Sequence, residues 1–156
     1  MDMMELIRTR KSVRTFDGKA ITENDIKKLT EYIKTITNPY NIPVEFVLLD
    51  AETHGLSSPV IQGEHLYVAG KVPLKEYCAE AFGYSFEKLV LYAWSLGIGT
   101  TWIGGTMKRE LFEQEAEVND GENMPCVSPL GYPAKKRSIK EIGMRMAISA
   151  DKRIEN

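Results

Sequence analysis

The first clear pattern of apolar and polar positions lies in the N-terminal third of the chain. Apolar residues recur at helical spacing from Ile26 to Ile36, which is the signature of one buried helix face. Thr22 precedes them and acidic residues follow it, as is typical of a helix N-cap. The pattern therefore predicts an amphipathic helix that begins after Thr22 and ends near Thr37. A short apolar-periodic stretch over residues 3–7 predicts a helix at the N-terminus.

Segments rich in β-branched and aromatic residues alternate with the helical ones. β-branched and aromatic residues favour strands. Clusters of Gly, Pro, Asn and Ser between these segments indicate loops. We predict strands over 44–50, 65–72, 100–103 and 126–132, loops over 51–63 and 115–122, and a short helix over 107–115.

The longest helical pattern covers residues 74–96. Its apolar positions include Phe82, Phe86, Leu89 and Val90, with further apolar residues beside them. An apolar surface this broad predicts burial on most sides of the helix. Helices that interleave with strands around a buried helix indicate a mixed α/β or α+β sheet protein, and the pattern leaves the strand order open.

Length and charge narrow the class of protein. A chain of 156 residues with 43% hydrophobic composition is long enough for one domain, so we expect a single domain over 1–156 with a basic tail over 134–156. The 20 basic and 22 acidic residues give a net charge of -2, which does not favour nucleic acid or an anionic membrane as partner. No apolar run reaches the ~20 residues of a membrane span, and the N-terminus lacks a signal-peptide pattern. We expect a cytoplasmic protein.

The cysteines and histidines do not form a recognisable metal or catalytic pattern. Cys78 and Cys126 lie far apart among apolar neighbours, which predicts reduced, buried thiols. His54 and His65 have no ligand-spaced partner, so no metal site is expected, and both are predicted to lie in loops or on the surface. A hydrolase triad therefore has little support.

A dense group of cations near the N-terminus is the strongest chemical signal. No acidic residue lies between Glu5 and Asp17 to offset it, and Ser12 adds a neutral hydrogen-bond donor. Arginine grips phosphate oxygens through a planar fork, which points to a bound anion. The alternative is a solvated basic helix end, where the macrodipole also favours cations. The cations are Arg8, Arg10, Lys11 and Arg14.

Three segments in order, over 10–16, 97–105 and 128–134, together resemble the FMN-dependent nitroreductase family. The resemblance implies a nitroreductase-like α+β fold, with a central, mainly antiparallel sheet flanked by helices and a long buried central helix. It also implies non-covalently bound FMN and a homodimer with the flavin at the interface. Because related sequences continue beyond the position of Asn156, we expect a form of the family that is short at its C-terminus.

The resemblance also implies roles for residues of the basic stretch. Arg10, Lys11 and Ser12 would meet the FMN phosphate. Arg14 would face the N1 and C2 carbonyl edge of the flavin ring, where a positive charge stabilises the reduced anion and raises the redox potential.

Two further pairs of residues complete the site that the resemblance implies. Gly104 and Gly105 lack Cβ atoms, so backbone amides can approach the ring, and the Gly104 amide would lie near flavin N5. An ordinary turn is the alternative for this pair. Lys152 and Arg153 correspond to a late basic pair that closes on the phosphate, although a frayed chain end is the alternative there.

The activity that the resemblance implies is transfer of reducing equivalents from NAD(P)H to nitroaromatic or quinone-type acceptors by a ping-pong mechanism. The flavin carries this chemistry, so no catalytic side chain is required. One alternative is a flavin-binding module without turnover, which steady NAD(P)H oxidation would exclude. Another is a degenerate member that only oligomerises and has no flavin affinity. The physiological acceptor and the choice between NADH and NADPH stay open.

Overall fold

The computed structural model describes residues 2–136 together with residues 142 and 146. The predicted phosphate ligands Lys152 and Arg153, and most of the basic tail, lie outside the described residues. The helices are α1 (Met3–Thr9), α2 (Glu23–Ile33), α3 (Ala51–His54), α4 (Cys78–Ser95) and α5 (Arg109–Glu115). The strands are β1 (Glu45–Asp50), β2 (Leu66–Pro73), β3 (Glu122–Asn123) and β4 (Val127–Leu130).

Strand β2 is the centre of an antiparallel sheet. β1 pairs along one edge of β2, from Glu45 opposite Lys71 to Asp50 opposite Leu66. The other edge is shared: β4 pairs with the first half of β2 and β3 with its last two residues. The predicted α+β class with a mainly antiparallel sheet is therefore confirmed.

The two faces of β2 contribute to two apolar clusters. Val68 and Val72 belong to a cluster with α4 and Leu29 of α2, whereas Tyr67 and Ala69 belong to one with Phe112 of α5. This alternation follows from the period of two in a strand, which sends successive side chains to opposite faces. The predicted long buried helix is α4, whose buried residues are Ala81, Phe82, Ser85, Phe86, Leu89, Val90, Leu91 and Ala93.

Two predicted helices are shorter than their apolar patterns. α2 begins after Thr22, whose side chain accepts a hydrogen bond from the Asp25 amide, and ends at Ile33 instead of near Thr37. α4 begins at Cys78 instead of 74 because Tyr77, the residue before it, has a left-handed φ of 65°. A residue in the left-handed region cannot lie inside a right-handed helix, so residues 74–77 stay outside α4.

Two predictions for local structure were wrong. Residues 100–103 do not form a strand: Thr100 pairs with Ser12 and Ile103 with Val127 as isolated bridges, so no continuous ladder develops. The predicted loop over 51–63 contains helix α3, which begins at Asp50 as N-cap and ends at Gly55 with φ of 63°. Among the described residues, no helix is long and apolar enough to cross a membrane.

The two free cysteines differ in burial. Cys126 is buried, as predicted, whereas Cys78 is only half-buried at the start of α4. Burial raises the pKa of the Cys126 thiol to about 12, so little nucleophilic thiolate is present at mildly alkaline pH.

We expect iodoacetamide to alkylate Cys78 in the folded protein at mildly alkaline pH and to leave Cys126 unmodified. The thiolate is the reacting form, and Cys126 lacks both thiolate and access. Peptide mapping by mass spectrometry after timed exposure checks this, with a urea-unfolded sample as the control in which both cysteines react. Equal rates of modification in the folded protein would contradict the assignment.

Candidate functional site

The three segments singled out in the sequence lie side by side in the fold. We call residues 10–16 the basic segment and residues 97–105 the Gly-rich segment. The Val13 amide of the basic segment donates to the Thr100 carbonyl at 2.9 Å. The Gly-rich segment in turn reaches the third segment, because the Gly99 amide donates to the Gly131 carbonyl at 2.7 Å. Backbone hydrogen bonds therefore join three segments that are distant in sequence.

Two glycines explain how closely these segments approach. A Cβ added at Gly99 would lie 2.6 Å from the side chain of Val13, and one added at Gly131 would lie 2.7 Å from the ring of Phe16. Non-bonded carbon atoms do not approach each other this closely, so both positions must lack a side chain. Gly99 and Gly131 therefore act in packing the basic segment.

A fourth segment, residues 57–64, completes the arrangement and lies almost entirely within the predicted loop over 51–63. We call it the cavity loop. Its Gln62 amide donates to the Arg14 carbonyl at 3.0 Å, and its Gln62 carbonyl accepts from the Phe16 amide at 2.9 Å. These two hydrogen bonds hold the cavity loop against the basic segment and position the backbone around Arg14. No local sequence pattern marks Gln62 for this contact.

An open cavity of about 860 Å³ lies between the cavity loop and residues 105–108. The two walls are joined where the Ser58 hydroxyl donates to the Thr106 carbonyl at 2.6 Å. A volume of this size is within the usual range of ligand sites. The lining residues are Ser57, Ser58, Pro59, Ile61, Gln62, Gly63, Glu64, Gly105, Thr106, Met107 and Lys108.

Arg10 is the most informative side chain of the basic segment. It is the C-cap of α1, and α1 is tied to α4 because the Trp94 indole donates to the Thr9 hydroxyl at 3.1 Å. Arg10 Nε lies 3.7 Å from a carboxylate oxygen of Glu87, whereas Nη1 is buried and has no hydrogen-bond partner among the described residues. A buried donor without an acceptor is costly, so this atom is suited to an anion.

The other cations of the basic segment differ in exposure. Lys11 is exposed, whereas Ser12 and Arg14 are half-buried, and Ser12 forms a bridge with Thr100. The basic segment therefore continues beyond the helix end as extended chain alongside the Gly-rich segment. A solvated basic helix end describes Arg8 and Lys11, which are exposed, but not the half-buried Arg10 and Arg14.

Gly104 and Gly105 are both exposed, and Gly105 lines the cavity. A Cβ on Gly104 would lie 3.6 Å from the Pro125 carbonyl oxygen, an ordinary contact, and a Cβ on Gly105 would meet nothing within 4 Å. Neither glycine is therefore required by the packing of the chain itself. The open space suits the close approach of a ligand to this backbone.

Arg109, which the sequence analysis did not select, holds this turn in place. Its Nη2 donates to the Gly104 carbonyl at 2.8 Å and its Nη1 donates to the Met124 carbonyl at 2.6 Å. The Gly104 carbonyl is thus satisfied within the protein. Arginine spacing in the sequence carries no signal for this contact, because both acceptors are backbone atoms.

Comparison with known proteins relates both sequence and fold to other proteins. The sequence model of the family described as "Putative TM nitroreductase" matches residues 2–154. No curated protein matches the chain in sequence.

Several solved structures share the fold. A nitroreductase family protein from Clostridium novyi is 19% identical with a TM-score of 0.72, over 86% of this chain and 87% of that one. An FMN-dependent nitroreductase from Clostridium difficile is 15% identical with a TM-score of 0.71, over 86% and 90%. A nitroreductase with bound FMN from Desulfitobacterium hafniense is 14% identical with a TM-score of 0.70, over 88% and 92%.

Proposed function

The chain belongs to the nitroreductase family, which makes it an oxidoreductase by descent, and on this premise we propose that it binds FMN and reduces nitroaromatic or quinone-type acceptors. NAD(P)H is the proposed reductant, in a ping-pong cycle. The proteins of this fold that carry or depend on FMN support the choice of cofactor. When bound, FMN supplies the two-electron chemistry.

The observation that carries the proposal is the buried Nη1 atom of Arg10, which has no acceptor among the described residues. An FMN phosphate would provide acceptor oxygens for this atom and offset the charge of the basic segment. Lys11 and Ser12 follow directly in the chain and would add a point charge and a hydroxyl donor. Lys152 and Arg153 stay predicted phosphate ligands.

The open backbone at Gly104 and Gly105 suits the flavin ring. The Gly104 amide would donate to the ring, and Arg109 would hold that backbone through the Gly104 carbonyl. Arg14 would place positive charge at the ring edge, with its main chain held by Gln62. The residues present therefore fit FMN at both its phosphate and its ring, and their part is to bind and orient rather than to transfer protons.

A homodimer is the proposed assembly, within a single domain per chain. Several large apolar side chains are exposed on α1 and around α4, where burial against a second copy would remove them from water. Trp102 belongs to this group although its indole also packs edge-on against Phe86 at 4.8 Å between ring centroids. Light scattering coupled to gel filtration tests the proposal. The exposed residues are Met4, Ile7, Leu74, Tyr77, Tyr84 and Trp102.

The first experiment is a visible absorption spectrum of the purified protein, taken before and after incubation with FMN and desalting. Retained flavin followed by steady NAD(P)H oxidation with a nitroaromatic or quinone acceptor supports the proposed function. Retained flavin without turnover supports a binding module instead. A folded protein that retains no flavin contradicts the proposed function.

We expect Gly104→Val to fold normally and to lose FMN retention. The Cβ of the new side chain meets an ordinary contact distance and the position is exposed, so the free energy of unfolding should change by about 0.5 kcal/mol or less. Its branched carbon would instead occupy the space proposed for the flavin ring. Flavin absorbance after desalting and a thermal melt of the same sample check both statements. A Gly104→Val variant that retains FMN normally would contradict the assignment of the flavin ring to this turn.

A further inference from the structure

Glu64 has an unusual environment on the wall of the cavity. Its Oε1 accepts a hydrogen bond from the Tyr67 hydroxyl at 3.1 Å. Its Oε2 is buried and has no hydrogen-bond partner among the described residues. A carboxylate oxygen in this position is an acceptor without a donor, which is costly unless a bound molecule supplies one.

The surroundings of Glu64 keep this acceptor available. Tyr67 is fully buried and packs edge-on against Phe112, with ring centroids 5.0 Å apart. Burial and the neighbouring Glu64 charge raise the pKa of Tyr67 far above its usual value, so its hydroxyl stays protonated and holds Oε1. The Ser58 hydroxyl, which also lies on the cavity wall, already donates to the Thr106 carbonyl.

The cavity combines this acceptor with apolar walls. Pro59, Ile61 and Met107 line it and would contact an aromatic ring, while Gly105 connects it to the proposed flavin site. A ligand with a ring and an N–H group would therefore find both apolar contact and an acceptor. A ligand whose carboxylate lay beside Glu64 would instead meet repulsion from the Glu64 charge. Lys108, the cation of the lining, belongs to the other wall of the cavity, with residues 105–107.

We propose that Glu64 is a specificity-determining residue: its Oε2 accepts a hydrogen bond from the N–H group of an aromatic amide, and its charge rejects an aromatic carboxylate. The inference rests on the proposed function, because it assigns the cavity to the electron acceptor. It goes further by stating which acceptors the cavity prefers.

A matched pair of probes tests this preference. Para-nitrobenzamide and para-nitrobenzoate share the ring and the nitro group and differ in the amide or carboxylate. We expect the FMN-loaded protein to bind the amide at least about tenfold more tightly than the carboxylate, as measured by isothermal titration calorimetry. Failure of both probes to bind, or an equal affinity for the two, would overturn the proposal.

Glu64→Gln keeps the size of the side chain and removes its charge. We expect the amide-to-carboxylate preference to fall about tenfold, because the repulsion and the charged acceptor are both lost. Glu31→Gln is the matched control, since it removes the same charge from an exposed position on α2 that does not line the cavity. An unchanged preference in Glu64→Gln would contradict the proposal.

A second variant covers the case in which Glu64→Gln is unstable. Glu64→Asp keeps the charge but withdraws the side-chain carboxylate by one methylene. Rejection of para-nitrobenzoate should therefore persist, while the affinity for para-nitrobenzamide falls.

A wild-type protein that does not retain FMN or does not oxidise NAD(P)H would count against the proposed function. The probe preference, measured also on the flavin-free protein, decides the role of Glu64 separately.

Discussion

Arg10→Ala is expected to weaken FMN binding by about tenfold to a hundredfold, the effect of losing hydrogen bonds to a charged group. Arg10 Nη1 is a buried donor without an acceptor among the described residues, and its guanidinium lies between α1 and Glu87 of α4. Titration of FMN fluorescence against the protein measures the change. We expect Arg10→Lys to restore only part of the affinity, since an ammonium cannot bind two phosphate oxygens as a planar fork does.

Arg8→Ala is the control for Arg10→Ala. It removes an equal charge from the same stretch of sequence, but Arg8 is exposed in the last turn of α1. Its effect should be small and should shrink further at high salt, because exposed charges are screened. Equal losses of FMN affinity in the two variants would mean that general charge, and not the Arg10 site, attracts the cofactor.

Gly63→Ala should lower the free energy of unfolding by about 2 to 4 kcal/mol. Gly63 has φ of +84°, and an added Cβ would lie 2.5 Å from the backbone oxygen of Phe16. A backbone atom cannot move aside as a flexible side chain can, so the cavity loop and the basic segment would have to separate. Urea denaturation monitored by circular dichroism measures the loss.

Gly18→Ala separates the two causes of this destabilisation. Gly18 has a similar φ of +80°, but a Cβ there would meet nothing within 4 Å. It should therefore lose only the conformational cost, about 1 kcal/mol. If both variants lose the same stability, the close contact between Gly63 and Phe16 is not what holds the cavity loop. We also expect only Gly63→Ala to weaken FMN binding, because that contact adjoins Arg14.

The local pattern of apolar and polar residues predicted the structure correctly where residues close in sequence determine it. Thr22 is the N-cap of α2, and its hydroxyl accepts the Asp25 amide at 3.2 Å, as its position before an apolar-periodic run predicts. The breadth of apolar residues in α4 likewise corresponds to burial on most of its sides. Helix ends were less predictable, since Tyr77 adopts a left-handed φ of 65° that the apolar pattern does not indicate.

The residues of the candidate site also divide into those that the sequence indicated and those that it did not. The density of cations marked Arg10 and Arg14, and the run of glycines marked Gly104, because these are features of residue type and spacing. No feature of residue type or spacing indicated Gln62, Glu64 or Arg109. The role of each of these residues depends on a backbone atom or a cavity to which a distant part of the chain contributes.

The sequence by itself determined the mixed helix and sheet composition and the buried helix, because periodicity and residue type are local features of the chain. The three motifs indicated the family, and the α+β fold followed from that resemblance. The tertiary structure alone decided that the basic segment, the Gly-rich segment and the cavity loop meet. That meeting depends on close approaches at Gly63, Gly99 and Gly131, where a missing side chain allows one backbone to lie against another residue. Such contacts join positions far apart in the chain, so no local pattern can indicate them.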